Sequence, residues 1–214
     1  MTPALRRRSL DKRNTDAYYH PHFDAHIIKV MLGQYKVTGR VDEMLVTTLG
    51  SCISACIRDP IAGIGGMNHF LLPEVPEGSD NSASVAARYG GVAMELLINQ
   101  ILSKGGRRSR LEVKVFGGAK VINSTLDIGL KNSNFVLHYL RCEGLSLVGQ
   151  DLGGTMARRV HYFPSTGRVL RRVLRPEALS ETVSQELSFM SSLRSKPIEG
   201  DVELFGDVQL FGDD

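Results

Sequence analysis

The chain has 214 residues, 42% of them hydrophobic and 23% charged, with a formal net charge of +3. This suits one globular domain with a real core, and 22 glycines without a period of three exclude a collagen-like or fibrous chain. No apolar run approaches the roughly 18 residues of a membrane span, and so small a net charge does not by itself suggest nucleic acid.

From the N-terminus, residues 1–22 read as a basic, disordered segment. Arg6-Arg7-Arg8 has no apolar stretch after it, so a cytoplasmic protein without a secretory leader is expected. Residues 23–194 hold the elements of a domain. Ile27, Ile28, Val30, Met31 and Leu32 predict a strand, as do Met44–Thr48 and Ile53–Ile57. Arg58-Asp59-Pro60 signals a turn, and Gly65–Leu72 returns from it, so the two runs form a hairpin. Pro73–Ser82 reads as a surface loop.

Arg88–Lys104 predicts a helix with Tyr89, Val92, Ala93, Leu96, Leu97 and Ile101 on its inner face, ended by Gly105-Gly106. Leu111–Phe116 predicts a strand and Asn132–Leu140 a helix. Leu145–Leu152, Val160–Phe163 and Val169–Leu174 predict further strands. Glu177–Leu193 predicts a last helix, with Leu179, Val183, Glu186, Leu187 and Met190 spaced for one face. Strands outnumber helices and come in adjacent runs, which favours a layered α+β domain with mixed or antiparallel sheets over a doubly wound one. Neither a dinucleotide fingerprint nor a P-loop is present, so nucleotide binding has no support.

Residues 195–214 form an acidic, flexible tail. Within 199–214 there are six acidic residues and no basic ones, and Gly200–Phe205 is repeated as Gly206–Phe211. Charge beside Leu-Phe pairs suits docking on a basic groove of a partner. A solvated disordered end fits the same residues.

The hairpin carries the chemistry. Cys52, Cys56 and Cys142 are too few and too sparse for a disulfide framework, so free thiols are expected. A hairpin midpoint between Ile61 and Ala62 sets His69 opposite Ser54 and Cys52 opposite Leu71. Cys52, Ser54 and His69 then share a face, with Cys52 and His69 diagonal neighbours. A cysteine nucleophile needs such a base, and Gly50-Ser51-Cys52 offers a small, flexible approach whose N–H groups can meet an oxyanion. A free strand cysteine is more often a small buried apolar residue, so spacing alone leaves both roles open. Cys52 and Cys56 lack further metal ligands, and His20, His22 and His26 suit a Tyr/His-rich loop better than a metal site. No metal and no cofactor is expected.

Thr47-Thr48-Leu49-Gly50-Ser51-Cys52 and Gly66-Met67-Asn68-His69-Phe70-Leu71-Leu72-Pro73 resemble the signature of the CheD family of chemoreceptor glutamine deamidases. The resemblance continues in Arg88-Tyr89-Gly90, Val115–Ala119, Ile128–Asn132, Asp151–Gly154, Arg158 and Tyr162–Gly167, covering roughly Ile27 to Leu174. It implies hydrolysis of glutamine side chains on methyl-accepting chemotaxis receptors, with ammonia released. It implies Cys52 as nucleophile, His69 as base and Thr47 as the third member. Relatives with an extra glycine in this approach leave Thr48 as the alternative. It also implies a layered α/β sandwich related to toxin-type cysteine deamidases, and a CheC-like phosphatase as a further partner. A non-catalytic adaptor binding receptors or such a phosphatase is the alternative function, although it would not need both Cys52 and His69. Cys52, rather than Cys56 or Cys142, is the thiol expected to react first.

Overall fold

A computed structural model describes residues 17–73, 82–121, 127–175 and 179–195. The acidic repeats and most of the basic N-terminal segment lie outside these residues. In chain order the elements are β1 (Tyr18–His20), β2 (Ala25–Lys29), β3 (Tyr35–Thr38), β4 (Glu43–Leu49), β5 (Ile53–Asp59) and β6 (Ile64–Asn68). Then come α1 (Ser82–Ser103), β7 (Glu112–Gly117), α2 (Ile128–Cys142), β8 (Ser146–Leu152), β9 (Arg158–Phe163), β10 (Arg168–Val173) and α3 (Leu179–Ser195).

The strands form two five-stranded sheets, ordered β1-β2-β4-β9-β10 and β3-β6-β5-β7-β8. Both are mixed. The β2–β4 and β7–β8 pairs are parallel and the remaining pairs antiparallel. The expected α+β class with mixed sheets is therefore found. Helices α1 and α2 cover one face of the second sheet, where Ile53, Ala55, Ile57 and Phe70 meet Met94, Leu97, Ile98 and Val136. The opposite face of that sheet packs on the first, burying Cys52, Cys56, Met67 and Leu71 against Leu45, Leu49, Val160 and Tyr162. Alternation along β5 thus sends odd-numbered residues to the helices and even-numbered ones between the sheets.

Three expectations need correction. Tyr18–His20 form an edge strand against β2, so ordered structure begins inside the segment read as disordered. β3 had no counterpart in the sequence reading, because Tyr35-Lys36-Val37-Thr38 is short and half polar. The inner face of α1 is Gly90, Met94, Leu97, Ile98 and Ile101, while Val92 and Leu96 are about half exposed. The helix is rotated because Gly90 is a notch. A Cβ there would strike the Phe135 ring of α2, so the two helices close where a side chain is missing.

The hairpin register matches the expected one. Cys56 pairs with Met67 and Ile57 with Gly66, and an isolated bridge joins Ile53 to Phe70. Buried Asp59 fastens the turn. Its carboxylate accepts from the N–H groups of Ile61, Ala62 and Arg107 and from the Arg110 guanidinium. Burial pushes this carboxyl up, but those donors outweigh it and hold the pKa at about 2.

Candidate active site

Three segments meet at the end of the sandwich. β4 brings Thr47, the β4–β5 connection brings Gly50, Ser51 and Cys52, and the chain just past β6 brings His69. The His69 backbone is pinned, donating to Gln34 O at 2.9 Å and accepting from Gly33 N at 2.7 Å. Its side chain is buried, with Nδ1 2.8 Å from Thr47 Oγ1. Thr48 does not share this contact. Its Oγ1 accepts from Arg159 Nε at 3.3 Å.

The Thr47 contact fixes the tautomer of the imidazole. A hydroxyl has one proton, and Thr47 donates it to the Val30 carbonyl at 2.8 Å. Toward His69 it must therefore accept, which places a proton on Nδ1 and leaves the Nε2 lone pair free. Nε2 is buried and has no hydrogen-bond partner among the described residues. Burial lowers the His69 pKa to about 4, with the Glu186 carboxylate and the Val30 carbonyl pulling the other way. His69 is thus a neutral base at physiological pH. A cleft of about 540 Å³ reaches Thr47 and His69 from the face of the first sheet, past Val30, Arg159 and His161.

The Gly50–Cys52 connection is held by its carbonyls. Gly50 O accepts from Ala119 N at 2.8 Å, Ser51 O from Asn132 Nδ2 at 2.9 Å and Cys52 O from Gly118 N at 2.8 Å. Each peptide is planar and trans, so tying a carbonyl to one side turns the following N–H to the other. The N–H groups of Ser51 and Cys52, turned in this way, converge with that of Gly50 on a single carboxylate, that of Glu186 on α3. They lie 3.0, 3.1 and 3.4 Å from its oxygens, and Ser51 Oγ donates to it at 2.6 Å. Gly117 and Gly118 press on the Cys52 peptide. A Cβ on Gly117 would collide with Cys52 O.

Cys52 itself is fully buried, and burial together with the nearby Glu186 carboxylate raises its pKa well above the ordinary thiol value. Cys56 is also buried and its thiol is pushed up by that burial, whereas Cys142 is exposed on α2 with its Sγ 3.4 Å from His138 Nε2. Cys142 is thus the exposed thiol, and Cys52 is closed off in this arrangement. His20 and His22 stack around Phe23, and His26 contacts Tyr19.

Two participants escaped the sequence reading. The Val30 carbonyl is a backbone group with no sequence signature. Glu186 was placed on the inner face of its helix, where a charged residue among apolar positions was the available signal.

A family model described as CheD chemotactic sensory transduction matches residues 71–173. The chain is 50% identical over 188 residues to a protein of Rhodopseudomonas palustris named "Probable chemoreceptor glutamine deamidase CheD", covering 88% of each. Proteins of the same name from Janthinobacterium sp. and Methylobacillus flagellatus are 45% and 46% identical, each covering 89% of this chain and 95% of the relative. Among solved structures, Neisseria meningitidis protein NMB0706, assigned to DUF152, matches 61% of this chain and 64% of its own at 9% identity. Its TM-score of 0.38 is too low to bear on the fold. With half its residues shared across nearly the full length of such a relative, this chain belongs to the CheD family.

Proposed function

We propose that this chain hydrolyses glutamine side chains of methyl-accepting chemotaxis receptors to glutamate, with Cys52 as nucleophile, His69 as base and Thr47 as the residue that orients the base. The observation that carries the reading is the Thr47–His69 contact, which leaves a neutral imidazole with Nε2 unprotonated and without a hydrogen-bond partner among the described residues. The names of the curated relatives supply the substrate class.

His69 Nε2 takes the Cys52 proton, and the thiolate attacks the amide carbon of the glutamine. The N–H groups of Gly50, Ser51 and Cys52 receive the oxyanion. The imidazolium returns its proton to the departing nitrogen, ammonia leaves and a thioester remains. Water, deprotonated by the same imidazole, attacks the thioester to give glutamate and the free thiol. Thr47 is neutral, so it stabilises imidazolium less than a carboxylate would, and slow turnover follows.

The same reading includes a cytoplasmic location, residues 23–194 as the deamidase domain, kinship with toxin-type cysteine deamidases and a CheC-like phosphatase as further partner. It also gives the acidic tail to partner binding. The test is an ammonia-release assay on receptor cytoplasmic domain. Ammonia released in step with loss of receptor glutamine supports the reading, and none released over background overturns it.

A further inference from the structure

The reaction as written has no use for Glu186, yet its carboxylate occupies the place where the oxyanion must form. Four donors bind it: three backbone N–H groups and the Ser51 hydroxyl. It is buried, 2% exposed, on a helix whose other described side chains are mostly exposed or half-buried. Among the α3 side chains described, Met190 is the other buried one. Phe189 lies against Gly33, and Leu187 is about half exposed. Gly50 is shaped for this guest. Its φ is not left-handed, so backbone conformation does not demand glycine. Space does, because a Cβ would come within 2.8 Å of Glu186 Oε1.

A glutamate carboxylate is also the group that glutamine hydrolysis produces. We propose that the Gly50–Cys52 cradle is the subsite for the substrate's side-chain carbonyl, and that Glu186 fills it as an intramolecular copy of the product, so that α3 must leave before a receptor glutamine enters. This rests on the deamidase reading. The cover acts twice. It takes the oxyanion donors, and it sets a negative charge beside Cys52, where a thiolate would have to form.

The test uses three full-length variants: Glu186→Ala, Glu186→Gln, and Glu186→Gln combined with Cys52→Ala. Glu186→Gln keeps the shape of the side chain and guards against a misfolded Glu186→Ala. In Glu186→Ala, iodoacetamide should alkylate Cys52 about tenfold faster or more, and receptor deamidation should rise in parallel, since each charged hydrogen bond lost is worth about that factor. In Glu186→Gln the introduced amide lies where a substrate amide would. It should be hydrolysed within the same chain, at a rate independent of protein concentration, and should persist when Cys52 is also replaced. Unchanged alkylation of Cys52 with a stable introduced amide overturns the assignment, even if the wild-type protein deamidates receptors. Faster alkylation with no deamidation of receptor or introduced amide keeps α3 as a cover and overturns the deamidase reading instead.

Discussion

Thr47 Oγ1 lies 2.8 Å from His69 Nδ1 while its only proton goes to the Val30 carbonyl, so the side chain dictates which nitrogen of the imidazole is the base. Thr47→Val keeps the β-branched shape and removes that dictation. It is predicted to lower kcat about tenfold, the worth of one buried hydrogen bond, with KM little changed, and Thr47→Ser should restore most of the loss. His69→Ala should cost about 10²- to 10⁴-fold. Combining it with Cys52→Ala should add little, because residues that act as a unit are not additive. Thr48→Ala should leave kcat near wild type. Steady-state kinetics of the set checks this assignment, and a loss confined to Thr48→Ala moves the role there.

The hairpin register was legible in the sequence because side chains alternate with period two. A single turn signal at Arg58-Asp59-Pro60 therefore set which residues face the other sheet, and the Cys56–Met67 and Ile53–Phe70 pairings follow it. The inner face of α1 was misread because Gly90 counts as neither apolar nor bulky, although its emptiness is what Phe135 uses. β3 was missed because four half-polar residues carry no periodic signal. Within the site, Cys52, His69 and Thr47 were visible as residue types. The Val30 carbonyl and the convergence of N–H groups on Glu186 belong to tertiary geometry that no local pattern encodes.

Gly117 has a φ of 115°, and a side chain there would collide with Cys52 O. Gly117→Ala should cost about 1–3 kcal/mol of stability through the strained backbone and displaced peptide. It should also depress kcat by displacing Cys52, whose carbonyl it strikes. Urea unfolding beside a turnover assay checks both effects. Wild-type values in both would show that the Cys52 peptide is not held by this contact.

Stability should depend on acid through His69. Its folded pKa is lowered to about 4 from an ordinary 6.5. As pH falls through 6.5 the unfolded chain takes up a proton that the folded chain refuses, so stability is full above that pH and is lost progressively down to about 4. The loss is of the order of 3 kcal/mol. His69→Gln has no such group, so the gap between wild type and variant in unfolding free energy should move in favour of the variant by about that amount across the window. Parallel curves for the two proteins would show that the imidazole is not held neutral in the folded state.

The hairpin turn is predicted to be the structural anchor of the site. Asp59→Ala removes the acceptor shared by three backbone N–H groups and Arg110, leaving part-buried donors to find water instead. A loss of about 1–3 kcal/mol is expected for removing this shared acceptor, measured by denaturant unfolding. A change within the range of ordinary surface substitutions would mean the turn is held by other contacts.

The most direct measurement is site-resolved mass spectrometry of receptor cytoplasmic domain incubated with wild type, Cys52→Ala or His69→Ala. The account predicts that particular receptor glutamines become glutamates with wild type and stay amides with either variant. Conversion by Cys52→Ala at the wild-type rate would contradict it.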